Sequence, residues 1–249
     1  MDNDYRFDSP LIEGLIRKRP NRFIMEVEIN GDIYNCHCPT TGRIGNLVME
    51  DIPCLLSTST LRTRKTPYTV EAFSLDLPDE LEKSWIGINQ NAVNRYVEHY
   101  LANGGFLDMV GTSNNVKREQ FIGISKLDFL VSNTYLEVKT PLQQLQVDIP
   151  SHIRTKRATP FSATDRMVRH VTELADSLQD HQRAIFLSCF IYDNPGFRVI
   201  ERSTNYEQVK STMELCTAAG VEMWQANFRI TPESVSLIKY FQTSEISDI

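Results

Sequence analysis

No stretch of the 249-residue sequence approaches the ~20 consecutive apolar residues of a membrane-spanning helix. The opening MDNDYRFD is acidic and polar, so no secretory leader is read from it, and the cytoplasm is the expected location. Cysteine is sparse and scattered. Cys36, Cys38, Cys54, Cys189 and Cys216 make an odd set of five, which points to reduced thiols rather than a disulfide framework. Cys36-His37-Cys38 has no second Cys or His pair at ligand spacing, and alternation along a strand accounts for it without a zinc ion. Positive charge does not dominate either. With a formal net charge of -6, contact with a polyanion must come from local clusters. Three are present: Arg17, Lys18, Arg19 and Arg22; then Arg62, Arg64 and Lys65; then Arg154, Lys156, Arg157, Arg166 and Arg169. Each by itself reads as a solvated surface. No internal repeat is visible.

What the sequence does have is 41% apolar residues in two different periodicities. Residues 1–85 read as short strands and turns. Phe23, Met25, Val27 and Ile29 alternate onto one face, Asn30-Gly31 is a strong hairpin signal, and Ile33 to Cys38 returns. Further strands are expected near residues 54–57 and 68–73, and a small β-barrel fits better than an open sheet extending the second domain. In residues 86–249 the pattern becomes helical, with Val93, Tyr96, Val97, Tyr100 and Leu101 on one stripe that stops at Asn103-Gly104-Gly105. Strands near 116–122, 126–131 and 135–140 follow, then a proline-broken basic loop. A second helix (stripe Met167, Val168, Val171, Leu174, Ala175, Leu178), the buried strand RAIFLSCFI, a third helix from Tyr206 and the strand VEMWQANF complete the pattern. Thr231-Pro232 suits the start of a last helix. The expected class is α/β, α+β overall, with a mixed sheet in the second domain.

The stretch KLDFLVSNTYLEVK carries the chemistry. If Ser132-Asn133 is a two-residue hairpin loop, Val131 faces Thr134, and Asp128 then faces Glu137. The same register sets Leu127 against Val138 and Phe129 against Leu136 on the other face. Opposed Cβ atoms lie ~5 Å apart, and two carboxylates at that separation repel by roughly 3 kcal/mol at an effective dielectric of 20. A hard divalent cation such as Mg²⁺ would relieve this, with water completing its shell. Lys139, two residues after Glu137, projects from the same face and could orient a water. The plainer alternative is a surface hairpin whose acids pair with Lys126 and Lys139. Glu98, at the edge of the preceding helix's apolar stripe, is a third candidate acid.

This pattern of Asp128 and Glu137-Val138-Lys139, after a helix with Glu98 and before another helix and strand, resembles the core of the PD-(D/E)xK nuclease superfamily. Beyond it, PLIEG (10–14), NRF (21–23), HCPTTGR (37–43), RKTPYT (64–69), IGIN with NR (86–95), and LDFL with YLEVK resemble, in order and spacing, the sugar fermentation stimulation protein A (SfsA) family. The similarity runs from about Phe7 to Thr231. It implies an N-terminal OB-like β-barrel followed by a PD-(D/E)xK nuclease-like αβββαβ domain with a mixed sheet. It also implies DNA, single- or double-stranded, as partner, and Mg²⁺ or Mn²⁺ held by Asp128, Glu137, Glu98 and the carbonyl of Val138. Glu98, Asp128, Glu137 and Lys139 match the superfamily's catalytic positions. Arg22, Arg43, Arg64, Lys65 and Arg95 lie in the shared motifs, and with Arg17, Arg19, Arg62, Lys126, Arg166 and Arg169 they are the candidates for phosphate contact. The chain departs from the family at residues 160–170, where PFSATDRMVRH lacks the family's aspartate and glycine but keeps Arg166, Arg169 and His170.

The expected function is metal-dependent hydrolysis of DNA phosphodiester bonds. The rival is a DNA-binding regulator of sugar-utilisation genes that keeps a nuclease fold without turnover, and an RNA-binding module is a third reading. The sequence leaves the oligomeric state open, a homodimer included.

Overall fold

The computed structural model describes residues 3–59, 64–122, 125–157, 159–160, 165–199 and 202–243. Five strands close a barrel: β2 (Ile12–Lys18), β3 (Ile24–Ile29), β4 (Asp32–His37), β5 (Ile52–Thr58) and β6 (Tyr68–Ser74), with β7 (Trp85–Gly87) added to β6; β1 (Tyr5–Arg6) lies elsewhere. Neighbours pair antiparallel in the order β4-β3-β2-β5-β6-β7, and the parallel bridge His37–Thr69 between β4 and β6 closes the ring. The closure makes this an OB-like barrel rather than an open sheet. Asn30 (φ 52°) and Gly31 (φ 89°) supply the two left-handed residues that a type I′ hairpin turn needs. The expected alternation on β3 holds for Met25, Val27 and Ile29, which face the barrel core, whereas Phe23 lies before the strand and is 46% exposed. Cys36 and Cys38 are buried on the same side, and burial pushes the Cys36 thiol up to about 12, a hydrophobic role rather than a ligand's.

The second sheet contains α1 (Gln90–Ala102), α2 (Leu107–Val110), β8 (Val116–Ile122), β9 (Ser125–Val131), β10 (Thr134–Lys139), α3 (Asp165–Asp176), β11 (Arg183–Phe190), α4 (Tyr206–Ala218), β12 (Glu222–Ile230) and β13 (Ser234–Gln242) among its strands and covering helices. Its order is β1-β13-β12-β11-β10-β9-β8. The β10–β11 and β11–β12 pairs are parallel, each joined by a crossover that carries one helix, and the other pairs are antiparallel. One face of the sheet packs Ile185, Leu187 and Phe228 against Tyr96, Tyr100 and Phe106. The other packs Ala184, Phe186 and Met223 against Val171, Leu174, Val209 and Met213.

Two expectations are corrected here. Tyr5 and Arg6, grouped with the barrel in residues 1–85, pair instead with Val235 and Ser234 of the second sheet. Thr231-Pro232 starts no helix. The Thr231 hydroxyl accepts the N–H of Ser234 at 3.1 Å, and the Thr231 N–H donates to the Ser234 carbonyl at 2.9 Å, so the pair turns β12 into β13. A threonine side chain bonds a following N–H in helix caps and in turns alike, and the apolar, β-prone stretch after it decides between them.

Barrel and sheet meet at Gly87, whose N–H donates to the carbonyl of Ile191 at 2.9 Å. A Cβ at position 87 would come within 2.5 Å of Ile191 Cβ. Gly87→Ala should therefore destabilise the protein by about 1–3 kcal/mol through overpacking. Calorimetry should show this as a midpoint lowered by roughly 2–4 °C per kcal/mol. An unchanged midpoint would mean that this seam yields freely.

Candidate functional site

The hairpin of β9 and β10 turns on Ser132 (φ 52°) and keeps the expected rungs Val131–Thr134 and Phe129–Leu136. The Asp128–Glu137 rung does not form. Among the described residues the ladder ends at Phe129–Leu136, and the Asp128 carboxylate takes the place of a backbone acceptor, with Oδ2 receiving the Val138 N–H at 2.8 Å. Leu127, expected opposite Val138, packs instead with Tyr135, Val171 and Phe186. The strands part where the two acids meet, so a side chain rather than a carbonyl closes the last step. The carboxylates still come together. Burial, and next the repulsion from Glu137, push the Asp128 carboxyl above its ordinary range, against the pull of the Val138 N–H, Lys139 and Asn94.

Glu137 is sealed in, with a side chain only 1% exposed. Its Oε1 receives Lys139 Nζ and lies 2.5 Å from His170 Nδ1. Its Oε2 is buried with no hydrogen-bond partner. The Arg166 Nε donates to His170 Nε2 at 3.5 Å, which leaves the imidazole proton on Nδ1 and directs it at Glu137. An orphaned carboxylate oxygen beside a second crowded carboxylate fits a hard cation. No group of three or more His, Cys, Asp or Glu side chains suited to a metal occurs among the described residues. The residues that could hold such an ion are therefore Asp128 and Glu137, with backbone carbonyls and water left to complete its shell.

Glu98 is not brought into this set. It pairs with Arg118 at 3.2 Å, and its place is taken by Asn94, one turn earlier on α1, whose Nδ2 donates to Asp128 Oδ1 at 2.7 Å. Asn94 carries no charge to mark it as a ligand-positioning residue in the sequence; its spacing of four from Glu98 on the same helix edge is the available signal. In the sequence His170 stands in a basic stretch with Arg166 and Arg169. Its position three residues after Met167 and next to Val171, on the buried stripe, was the signal that its ring turns inward.

These residues line a cleft of about 570 Å³ that also holds Lys126 and Arg166. The other cationic candidates are spread more widely. Arg17 is tied to Glu28 at 2.8 Å and Asp51 at 2.5 Å. Arg19 donates to the carbonyls of Arg22, Thr40 and Gly42, and Arg43 to that of Thr159. All three have partners within the chain. Lys126 pairs with Glu119 at 2.5 Å over the exposed Phe121 ring. Arg22 lies 4.7 Å from the Phe23 ring centroid, and Arg64, Lys65, Arg95 and Arg169 are exposed. Arg64 is near enough to help burial hold the His37 imidazole below its ordinary range. Arg62 and residues 161–164 lie outside the described residues.

A carboxyl that binds its proton more tightly in the folded chain than in the unfolded one favours folding at acid pH and loses that advantage as pH rises. Asp128 is in this position, so Asp128→Asn should gain stability relative to the wild type as pH rises from about 4 to 7 without divalent metal. Chemical denaturation across that range reads it. A constant difference would mean that the burial and the Glu137 repulsion do not reach Asp128.

Residues 18–88 match the family model of the SfsA N-terminal OB domain, and residues 91–234 match that of the sugar fermentation stimulation protein RE domain. A sugar fermentation stimulation protein homolog of Synechococcus sp. (strain JA-2-3B'a(2-13)) is 31% identical over 242 residues, covering 93% of this chain and 92% of that one. The homolog of Synechococcus sp. (strain JA-3-3Ab) is 34% identical over 242 residues with the same coverage. Among solved structures, Pyrococcus furiosus SfsA in complex with Ca²⁺ has a similar fold, with a TM-score of 0.71 at 19% identity over 94% of this chain and 95% of that one. The chain belongs to the sugar fermentation stimulation protein family.

Proposed function

We propose that this protein is a divalent-metal-dependent nuclease acting on DNA, with Asp128, Glu137 and Lys139 as its catalytic residues. The observation that carries this reading is the unpartnered, buried Oε2 of Glu137 next to the crowded Asp128 carboxylate. Asp128, Glu137 and the Val138 carbonyl would hold Mg²⁺ or Mn²⁺, and the ion when bound offsets charge on phosphorus and acidifies water. That the related Pyrococcus protein was solved in complex with Ca²⁺ supports a hard cation.

The chain's own residues divide the remaining work. Lys139 orients the attacking water and neutralises developing charge. His170 fixes Glu137, and Asn94 fixes Asp128, which holds both carboxylates against their repulsion. Lys126 and Arg166 meet the phosphates that enter the cleft. On the barrel, Arg22 stands just before β3 and Arg64 near His37 at the end of β4, the strands whose face OB-folds commonly use for nucleic acid; Lys65 is exposed next to Arg64, and Phe23 offers an exposed ring for stacking. The loop at Thr40 to Gly42, held by Arg19, leads from there to the cleft, which Thr41 lines. Such contacts reach backbone rather than base edges, so binding should be salt-sensitive with little sequence preference. A cytoplasmic location belongs to the same reading.

The departure of Glu98 from the site, and the absence of a third acid among the described residues, favour the rival of a DNA-binding regulator without turnover. One assay separates the two. With labelled DNA and Mg²⁺ or Mn²⁺, the wild type should cut, and Asp128→Asn or Lys139→Ala should lose at least 100-fold in rate. Tight binding without cutting under either metal would leave the regulator. Equal cutting by both variants would mean that the activity is not this protein's. In anisotropy titrations, Arg22→Ala and Arg64→Ala should each lower the salt slope of binding by about 0.7–0.9, while Arg17→Ala, already neutralised by two acids, should leave it unchanged. Slopes unmoved by the first two would remove the barrel from the binding path, and running RNA in parallel tests the RNA-binding alternative.

A further inference from the structure

We propose that the apolar end of the cleft seats one unpaired nucleobase, so that the strand presented to Asp128 and Glu137 is single at the reacting phosphate. The inference rests on the nuclease reading and names its substrate class. Phe186 is Glu137's neighbour in the parallel register, so the apolar floor begins one strand spacing, ~4.8 Å, from the candidate metal ligand. Met213 and Val209 continue it from α4, and the half-exposed rings of Phe197 and Tyr206 form its walls. Lys126, Lys139 and Arg166 also line this cleft. Cations beside a flat apolar slot one strand away match a nucleotide, an anion joined to an aromatic base.

The wall is built, not incidental. Gln225 and Asn227 are wholly buried and hold the loop at 193–197. Gln225 Oε1 accepts the Phe197 N–H at 2.8 Å, and Asn227 Nδ2 donates to the Asn194 carbonyl at 2.6 Å. Asn194 Oδ1 accepts the Gly196 N–H at 2.9 Å. A satisfied buried amide network of this kind fixes a loop in one conformation. The Phe197 ring is set 5.4 Å from Phe190, and the Arg202 guanidinium lies 4.5 Å from the Tyr206 ring centroid. Inside a duplex both faces of a base are covered by its neighbours, so an aromatic wall serves only a base taken out of the stack.

The test uses the full chain with Mn²⁺ and short oligonucleotides that each carry one 2-aminopurine, as single strands and as blunt duplexes. One position in the single strand should change fluorescence on binding, and the duplex should not. An abasic residue at that position should weaken wild-type binding roughly 5- to 150-fold. The same abasic change should cost Tyr206→Ala little, and Phe197→Leu, which keeps an apolar side chain without a ring, should behave as Tyr206→Ala does. Circular dichroism of both variants checks their folding. Equal wild-type affinity for abasic and intact strands, or equal affinity for single strand and duplex, overturns the base seat. Asp128→Asn should keep the fluorescence signal while losing cleavage. A wild type that never cuts but gives the signal sinks the nuclease reading and leaves the seat standing as a binding site.

Discussion

The unfavourable closeness of two carboxylates is the constraint around which the cleft is arranged. Glu137 stands near the middle of a seven-stranded sheet, flanked by a parallel neighbour on one side and a parting hairpin on the other. Taking a carboxylate out of water costs several kcal/mol unless its oxygens are met. One oxygen is met by Lys139 from the same strand and His170 from α3, and the second is left open. Asp128 is met by Asn94 from α1 and by the backbone of β10 itself. Helices from both faces of the sheet thus converge on two acids, and each face also carries the apolar stripe that docks its helix. Packing and polar satisfaction share the same residues' spacing: His170 immediately precedes Val171, and Asn94 follows Val93.

That sharing explains which parts could be read from the sequence. Alternation, the Asn30-Gly31 turn and the helix stops report local backbone preference, and they located β3, β4, α1, α3 and α4 well. The hairpin register was legible too, because a slip by one residue would have turned Phe129 and Leu136 outward. The departure of Asp128 from that register was not. A carboxylate that replaces a backbone acceptor leaves no trace in periodicity, and only the tertiary demand for two acids side by side produces it. Asn94 and His170 were missed for a related reason. A neutral amide at the edge of one apolar stripe and an imidazole on another look like tolerated polar residues until their partners are known. Thr231-Pro232 failed in the opposite way, since its local signal was real but equally compatible with a turn, and the strand β13 after it settled the matter through pairing with β12 and β1.

The relation between barrel and sheet follows from the first turn of α1. Gln90 accepts the Thr40 hydroxyl at 2.8 Å and donates to the Thr140 carbonyl at 2.6 Å, so one side chain joins the barrel loop to the residue after Lys139. Nearby, Leu142 packs into the barrel core and its carbonyl accepts the Gly45 N–H at 2.7 Å. Further along, the Val48 N–H donates to the Arg154 carbonyl at 2.9 Å and the Lys156 N–H to the Asn46 carbonyl at 2.6 Å, so the proline-broken segment after β10 is held against the barrel. A hinge between two independent units would place solvent or a flexible linker at this position. Here the strand that carries both Glu137 and Lys139 runs straight into barrel contacts, so that in the proposed nuclease reading a nucleic-acid strand laid on Arg22 and Arg64 would meet the cleft at a fixed distance. On that reading, fixed spacing would turn two weak, sequence-blind contact patches into one extended site, because the second contact would form without a new search through space.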